Sequence, residues 1–248
     1  MRIMLRAVTA AVTFAFFAAG WAVGVQAQGD RNPSPYEARR EEFTGVRKIK
    51  VVGAIKVFVM SAPVETSAVT LAGPPELLAD ARTKVEDGVL TIGFREGADW
   101  SWNPGSGLQV VVSLPALEGI ETDGPAQVEI VNAATSVPAF AAVVNGAGKI
   151  TVSDIKAQNV DVAIGGSGSV QIGGTAEVVA FALGGAGSID AKRLRAASGA
   201  ISVGGPGSVF ADISGAADIN VGGPGTVEVV GGATCTTRAP RPSQVECR

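Results

Sequence analysis

Histidine is absent from this 248-residue sequence, and cysteine occurs only twice. Without histidine the chain can build neither a Ser-His-Asp or Cys-His nucleophile nor a histidine-based metal site. Basic residues are not in excess either, because 20 Lys and Arg stand against 23 Asp and Glu. The sequence therefore lacks the residues of histidine-dependent hydrolases and the charge of a nucleic-acid-binding protein.

Two glycine patterns resemble ligand-binding loops but lack the residues that bind the ligand. Gly146-Ala147-Gly148-Lys149 is similar to the end of a phosphate-binding loop, yet Val143 replaces the first glycine and Ile150 replaces the Ser or Thr. Glycine-rich calcium solenoids need an aspartate at the position where these repeats carry Val or Ile. We therefore expect no nucleotide, metal or other cofactor.

The first 27 residues have the pattern of an export signal. Arg2 and Arg6 precede an apolar run over residues 7–25, and Ala27 offers a small residue at a cleavage site. A membrane-spanning helix is the alternative, since the run is nearly long enough for one. Cleavage is favoured because no positive flank follows Ala27, so we expect a mature protein in the periplasm, on the outer-membrane surface or outside the cell.

Glycine is abundant, and its tight turns recur along the second half of the chain. Their anchor residues lie 18 to 22 residues apart, a period typical of stacked repeats. The anchors are Gly124, Gly146, Gly166, Gly185, Gly205 and Gly223. From the second repeat on, another glycine follows two residues later, at Gly148, Gly168, Gly187, Gly207 and Gly225.

The residues on both sides of each turn alternate between apolar and polar. Apolar residues occupy the positions two and four before the anchor and four and six after it, with few exceptions such as Thr122. This period of two indicates strands, so each repeat is a strand, a glycine corner and a strand. Stacking the repeats with parallel pairing buries one continuous core, which predicts an all-β fold, a parallel β-solenoid with coils of about 20 residues.

We interpret the corner glycines as residues that need a positive φ or the absence of a Cβ. Asp123 and Asn145, which precede the first two anchors, are residue types that tolerate the left-handed region.

The predicted domain organisation places a flexible leader at 28–42 and one solenoid domain at 43–248. Within the domain, residues 43–121 form irregular N-terminal coils, 122–230 the regular repeats and 231–248 a C-terminal cap. In the irregular part, a strand around Val69 and Leu71, a helical turn over 76–81, a turn at Asp87-Gly88 and a strand over 108–114 are predicted.

The cap is predicted to be closed by a disulfide between Cys235 and Cys247. Export favours oxidation, and the bond would fold Val245 back over the last coil. Two free thiols and a redox-active pair are the alternatives, the latter without a Cys-x-x-Cys spacing.

A loop over 96–107 interrupts the strands and carries Trp100 and Trp102. Exposed tryptophans on a loop can stack on a sugar or a protein partner. The other interpretation is that they cover an open side or end of the β core.

A family resemblance covers roughly Phe43 to Arg248. It is carried by the opening 43–49, the segment 114–120, the Gly-x-Gly corners and the terminal cysteine pair. Together these features resemble the head GIN domain family of auto-transporter adhesins. The resemblance implies a pectin-lyase-like right-handed β-helix, no retained catalytic residues and a role in cell adhesion. Ser167 alone matches the serine of the family's Gly-Ser-Gly turns.

The function predicted is that of an exported, non-enzymatic adhesion or scaffolding module. Partners would be a second copy, a glycan or a cell-surface protein. The alternative is a carbohydrate-binding or polysaccharide-cleaving β-helix, which would need clustered carboxylates. The acidic residues of the repeats instead lie at scattered offsets from their anchors, which favours solvated outer positions.

Overall fold

A computed structural model describes residues 36–61, 65–98, 107–131, 136–241 and 244–248. The described residues form a β-solenoid of about six turns. The strands are β1 Glu37–Phe43, β2 Lys48–Val52, β3 Lys56–Ser61, β4 Ser67–Gly73, β5 Ala81–Glu86, β6 Val89–Phe94, β7 Gln109–Leu114, β8 Gly119–Asp123, β9 Gln127–Val131, β10 Ser136–Asn145, β11 Lys149–Ile164, β12 Ser169–Leu183, β13 Ser188–Val203, β14 Ser208–Ile213, β15 Ala216–Val221, β16 Thr226–Val230, β17 Thr234–Arg238 and β18 Val245–Cys247. The helix is α1 Pro75–Asp80.

Strands on the two sides of the glycine corners stack into two parallel sheets. We name them the pre-corner sheet and the post-corner sheet. The long strands β11, β12 and β13 begin in the post-corner sheet, bend, and end in the pre-corner sheet of the next coil. Like residues pair with like, as predicted: one post-corner column runs Val110, Val57, Val128, Ile150, Val170, Ile189, Val209, Val227 and Val245.

The core lies between the two sheets and consists of the inward apolar columns. Apart from the partly buried Val245 at the C-terminal end, the members of the post-corner column are at most 2% exposed. Phe140 and Phe181 add the aromatic volume in the pre-corner sheet. Burial of these side chains at every second residue explains why the alternating pattern folds into strands.

The corner glycines are required mainly because the coils pack closely. Gly124 and Gly146 have positive φ values of 103° and 134°, whereas the later corner glycines do not. At those later corners a Cβ would overlap backbone, for example a Cβ on Gly168 against the carbonyl oxygen of Gly148. The interpretation through close packing is therefore confirmed, and the interpretation through positive φ holds for the first two corners only.

The N-terminal coils do not stack in the order of the sequence. Strand β2 pairs with both β6 and β8, and β3 pairs with both β7 and β9. The coil formed by β2 and β3 therefore lies between the coil formed by β6 and β7 and the coil formed by β8 and β9. Between β3 and β6 the chain forms β4, α1 and β5. Strand β4 runs antiparallel to β7, and β5 runs antiparallel to β6.

Local predictions in this region are confirmed at the strands and the turn. Asp87 and Gly88, with φ values of 50° and 78°, form the two-residue connection of the β5–β6 hairpin. The predicted flexible leader was too long, because residues 37–43 form β1, antiparallel to β4. Apolar and polar residues do not alternate in β1 because five of its seven residues are charged, and charged side chains are common on edge strands.

The C-terminal cap is a further coil, not a frayed tail. Strand β17 pairs with β15 and β18 pairs with β16, so stacking continues past Val230, where the last coil was expected. The predicted disulfide between Cys235 and Cys247 is present and connects the two sheets of this coil. Val245 folds back over Val227, as predicted.

Gln244 takes the place of a glycine corner in this last coil. Its side chain is buried, and Nε2 donates hydrogen bonds to the carbonyl oxygens of Gly223 at 2.7 Å and Gly225 at 3.0 Å. These carbonyls belong to the last glycine corner, which has no following glycine corner to cover it.

Among the described residues, no helix combines the length and the hydropathy that a membrane span requires.

Candidate functional site

A polar cluster lies on the outer surface of the pre-corner sheet where the irregular and regular coils meet. Lys50 Nζ lies 2.9 Å from Glu121 Oε1 and 2.7 Å from Asp123 Oδ2. Asn145 Nδ2 donates to Glu121 Oε1 at 3.1 Å and to Asp123 Oδ1 at 3.0 Å. The four side chains come from three neighbouring coils, because β2, β8 and β10 are adjacent in the sheet.

The charges of this cluster stabilise each other. The hydrogen bond to Asp123 is the main cause that raises the pKa of Lys50 above 10.5. The hydrogen bond from Lys50 lowers the pKa of Asp123 below 3.8. Both groups are therefore ionised at neutral pH, and neither is poised as a general acid or base. Asp123 and Asn145 do not have positive φ, so the left-handed interpretation of these two residues was wrong.

A shallow apolar groove of about 440 Å³ lies on the same sheet, farther along the solenoid. Small outward side chains form its floor, because the inward positions of these strands carry the large core residues. We call this floor the alanine face, and it consists of Ala141, Val143, Ala163, Ala180, Ala182 and Ala200. Asp161, Asp218 and Arg238 also line the groove, and all three are exposed.

A row of hydroxyl groups follows the post-corner side of the glycine corners. Ser169, Ser188, Ser208 and Thr226 pair in successive coils, so one hydroxyl recurs at each step of about 4.8 Å. We call these four residues the hydroxyl row. With Ser167 and the adjacent glycines they line an open groove of about 250 Å³. The glycines keep the groove shallow since they add no side chains.

Lys192, Arg193 and Arg195 form a basic cluster in the sequence of β13, and all three are exposed. Lys192 Nζ lies 4.2 Å from the centre of the Phe210 ring and 3.3 Å from Glu228 Oε2. Arg248 binds the other oxygen of Glu228 at 2.9 Å. Lys192 is therefore held by its own neighbours on the outer surface, in agreement with a solvated position.

Trp100 and Trp102, the predicted ligand loop, lie outside the described residues. Among the described residues, no group of three or more Cys, Asp or Glu side chains is arranged to hold a metal ion. The scattered acidic residues of the repeats stay apart, whereas Glu121 and Asp123 converge on Lys50. Sequence reasoning missed this cluster because Lys50 lies 71 residues from Glu121 in a coil whose neighbours could not be assigned.

A family model described as "Putative auto-transporter adhesin, head GIN domain" matches residues 45–233. The chain belongs to the head GIN domain family. This finding confirms the resemblance that the corners and the terminal segments suggested. The glycine corners, the alanine face, the hydroxyl row and the polar cluster all lie within the matched range.

Solved structures similar to this head GIN domain share its fold at low sequence identity. A putative adhesin from Bacteroides fragilis NCTC 9343 is 19% identical with a TM-score of 0.68, covering 86% of this chain and 91% of its own. A putative adhesin from Parabacteroides distasonis ATCC 8503 is 19% identical with a TM-score of 0.64, covering 86% and 94%. A putative lipid binding protein from the same strain is 18% identical with a TM-score of 0.64, covering 84% and 94%. No curated protein matches the chain.

Proposed function

We propose that this chain is an exported, non-enzymatic module for adhesion or scaffolding at the cell surface or in the periplasm. The family model is described as that of a putative auto-transporter adhesin, which supports the adhesion role. The pattern of residues 1–27 supports export. The polar cluster supports a non-enzymatic role, because Lys50 neutralises one of its two carboxylates and fixes both. Glycoside hydrolysis needs a carboxyl group that stays protonated as a general acid, whereas the hydrogen bond from Lys50 lowers the pKa of Asp123.

The hydroxyl row is the observation that carries the adhesion proposal. It offers a hydrogen-bonding group at each coil, along a groove that is open at the surface. Such a surface suits an extended polymer, since successive units of the polymer meet equivalent groups on successive coils. A compact small molecule would instead favour an enclosed pocket. We infer that the target is recognised along this groove.

Bead attachment tests the adhesion role. Beads coated with the purified protein are counted on immobilised cells, beside beads coated with albumin. The variant Ser188→Val with Ser208→Val removes two central hydroxyls, and we expect attachment to fall several-fold. Thr175→Val is the matched control because it removes an exposed hydroxyl elsewhere on β12. Attachment no better than that of albumin, or equal attachment of the double variant and the parent, would contradict the proposal.

A glycan ligand is the second candidate, and the regular spacing of the hydroxyl row favours it. A glycan array probed with the purified protein tests binding, and the Ser188 and Ser208 double variant tests the location. Cleavage is tested separately by counting new reducing ends after incubation with acidic and neutral polysaccharides. We expect none; cleavage that disappears in Glu121→Gln would overturn the non-enzymatic assignment.

Export is tested by determining the N-terminal residue of the protein recovered from the periplasm and from the medium. We expect the mature chain to begin at Gln28, directly after the predicted cleavage site. A full-length chain retained in the membrane fraction would instead support a membrane anchor.

A further inference from the structure

The alanine face is a surface of small side chains that is bounded by opposite charges. Pairing runs along it from Glu121 to Val143, Ala163, Ala182, Ser202, Asn220 and Arg238. Six steps of about 4.8 Å give a length of about 29 Å. The polar cluster, with two carboxylates and one lysine, lies at one end, and Arg238 lies at the other.

We propose that the alanine face is the interface of a homodimer, in which two pre-corner sheets pack face to face. Ala182 lies midway between Glu121 and Arg238. A two-fold axis parallel to the strands and passing over Ala182 therefore places Arg238 of one protomer opposite Glu121 of its partner. The same operation repeats this pair at the other end, so the surface is complementary to itself.

The remaining charges are compatible with this arrangement. The pairing of the strands gives a second outward column, from Gly119 through Ala141, Asp161, Ala180 and Ala200 to Asp218. Under the two-fold axis, Asp161 lies opposite the partner's Ala200, and Asp218 opposite the partner's Ala141. No carboxylate of this column faces another carboxylate, and Ala180 faces its own copy at the centre.

A second copy fits the surface better than a lipid chain does. The floor consists of small side chains on paired strands, and a sheet face of this kind can pack against another sheet face. A width of about 17 Å from a five-residue strand gives about 500 Å² per protomer. Two such faces bury about 1,000 Å², which is the lower limit for a specific interface. The dimer is therefore at the weak, reversible end of specific interfaces.

Sedimentation velocity over about 1 to 500 µM tests the proposal on protein expressed from the full-length sequence. We expect a reversible dimer in the parent protein. Ala182→Arg places a long charged side chain at the two-fold axis and should weaken association at least tenfold. Ala197→Arg is the matched control because Ala197 is exposed on β13 and does not line the groove. Circular dichroism verifies that both variants keep the parent's β-sheet content.

Two further variants are expected to shift the dissociation constant of the dimer in opposite directions. Arg238→Glu should weaken the dimer several-fold, whereas Arg241→Glu, the same change of charge off the face, should not. Asp218→Ala should strengthen the dimer several-fold, since a carboxylate opposite Ala141 loses water on association.

Three outcomes overturn the proposal. One is a monomer at all concentrations, and another is a dimer that Ala182→Arg leaves intact. The third is a monomer that binds zwitterionic phospholipid vesicles through a surface blocked by Ala182→Arg, which would make the face a lipid-binding surface.

Discussion

Lys50 Nζ lies 2.7 Å from Asp123 Oδ2, and this contact joins the irregular N-terminal coils to the first regular coil. The same ammonium group also binds Glu121, so one cation holds two anions from a neighbouring strand. The side chains are about one-third exposed, which limits their contribution through screening by water.

We predict that Lys50→Met destabilises the protein by about 1 kcal/mol or less at pH 7. Asp123 has a lowered pKa in the folded state, so its contribution is present above pH 3.8 and is lost as the pH falls through the folded value. Lys50 has a raised pKa, so its contribution is present below pH 10.5 and is lost as the pH rises through the folded value. Denaturant unfolding at several pH values measures the difference.

Lys48→Met is the control for this substitution, because Lys48 is exposed on the same strand. The two variants should converge toward the parent protein in acid. A deficit of Lys50→Met that persists unchanged well below the folded pKa of Asp123 would show that lost packing, not charge, is responsible.

The corner glycines give a second prediction, in which two corner positions differ sharply. Gly168→Ala should destabilise by about 1–3 kcal/mol, because its Cβ would overlap the carbonyl oxygen of Gly148 and push the two coils apart. Gly184→Ala should be nearly neutral, since the nearest atom to its Cβ would lie 3.7 Å away. Both φ angles are outside the positive region, so conformational strain does not contribute. The denaturant midpoints of the two variants measure this difference in stability. Equal effects would argue against close packing between coils as the reason for the glycine.

Thr122 gives a third prediction, of stabilisation. Its side chain is fully buried in a column otherwise filled by residues such as Val144 and Ile164. Its hydroxyl has no hydrogen-bond partner among the described residues. Thr122→Val should therefore raise the free energy of unfolding by about 1–2 kcal/mol. Thr122→Ser keeps the hydroxyl and loses the methyl group, so it should destabilise; a loss of stability in both variants would mean that the hydroxyl has a partner.

Gln244 gives a fourth prediction, at the C-terminal end. Gln244→Glu should destabilise by about 1–3 kcal/mol at pH 7, because a carboxylate cannot donate to the carbonyls of Gly223 and Gly225. Hydrogen exchange should show faster opening of β18, with the early coils unchanged. The effect should diminish in acid, where the carboxyl group is protonated and can donate once. A variant with parental exchange rates would contradict the covering role of Gln244.

The regular coils could be predicted from the sequence because their period is visible in it. Column residues such as Val170 and Ile189 recur at a nearly constant distance from each corner, and parallel stacking is the arrangement that aligns them. The positions of the corner glycines followed from the same period. Which of the two expected reasons applies at each corner did not follow from it, since the overlap of a Cβ on Gly168 with Gly148 depends on how closely two coils approach.

The order of the N-terminal coils could not be predicted, for an energetic reason. Val57 matches Val110 and Val128 equally well, and every column residue of this kind presents the same apolar surface. The sequence therefore does not distinguish neighbours. The polar cluster depends on that order, because Lys50 meets Glu121 only if β2 lies beside β8.

The position of Val57 between Val110 and Val128 also determines how the molecule can grow. The coil that is synthesised first ends up enclosed, with a later coil on each side. Until β6 and β7 have been synthesised, the strands of this coil have no neighbouring coil to pair with on either side. The other edges of β6 and β7 pair with β5 and β4, so further coils can stack only on the opposite side, and duplication of a repeat would lengthen the protein toward its C-terminal end.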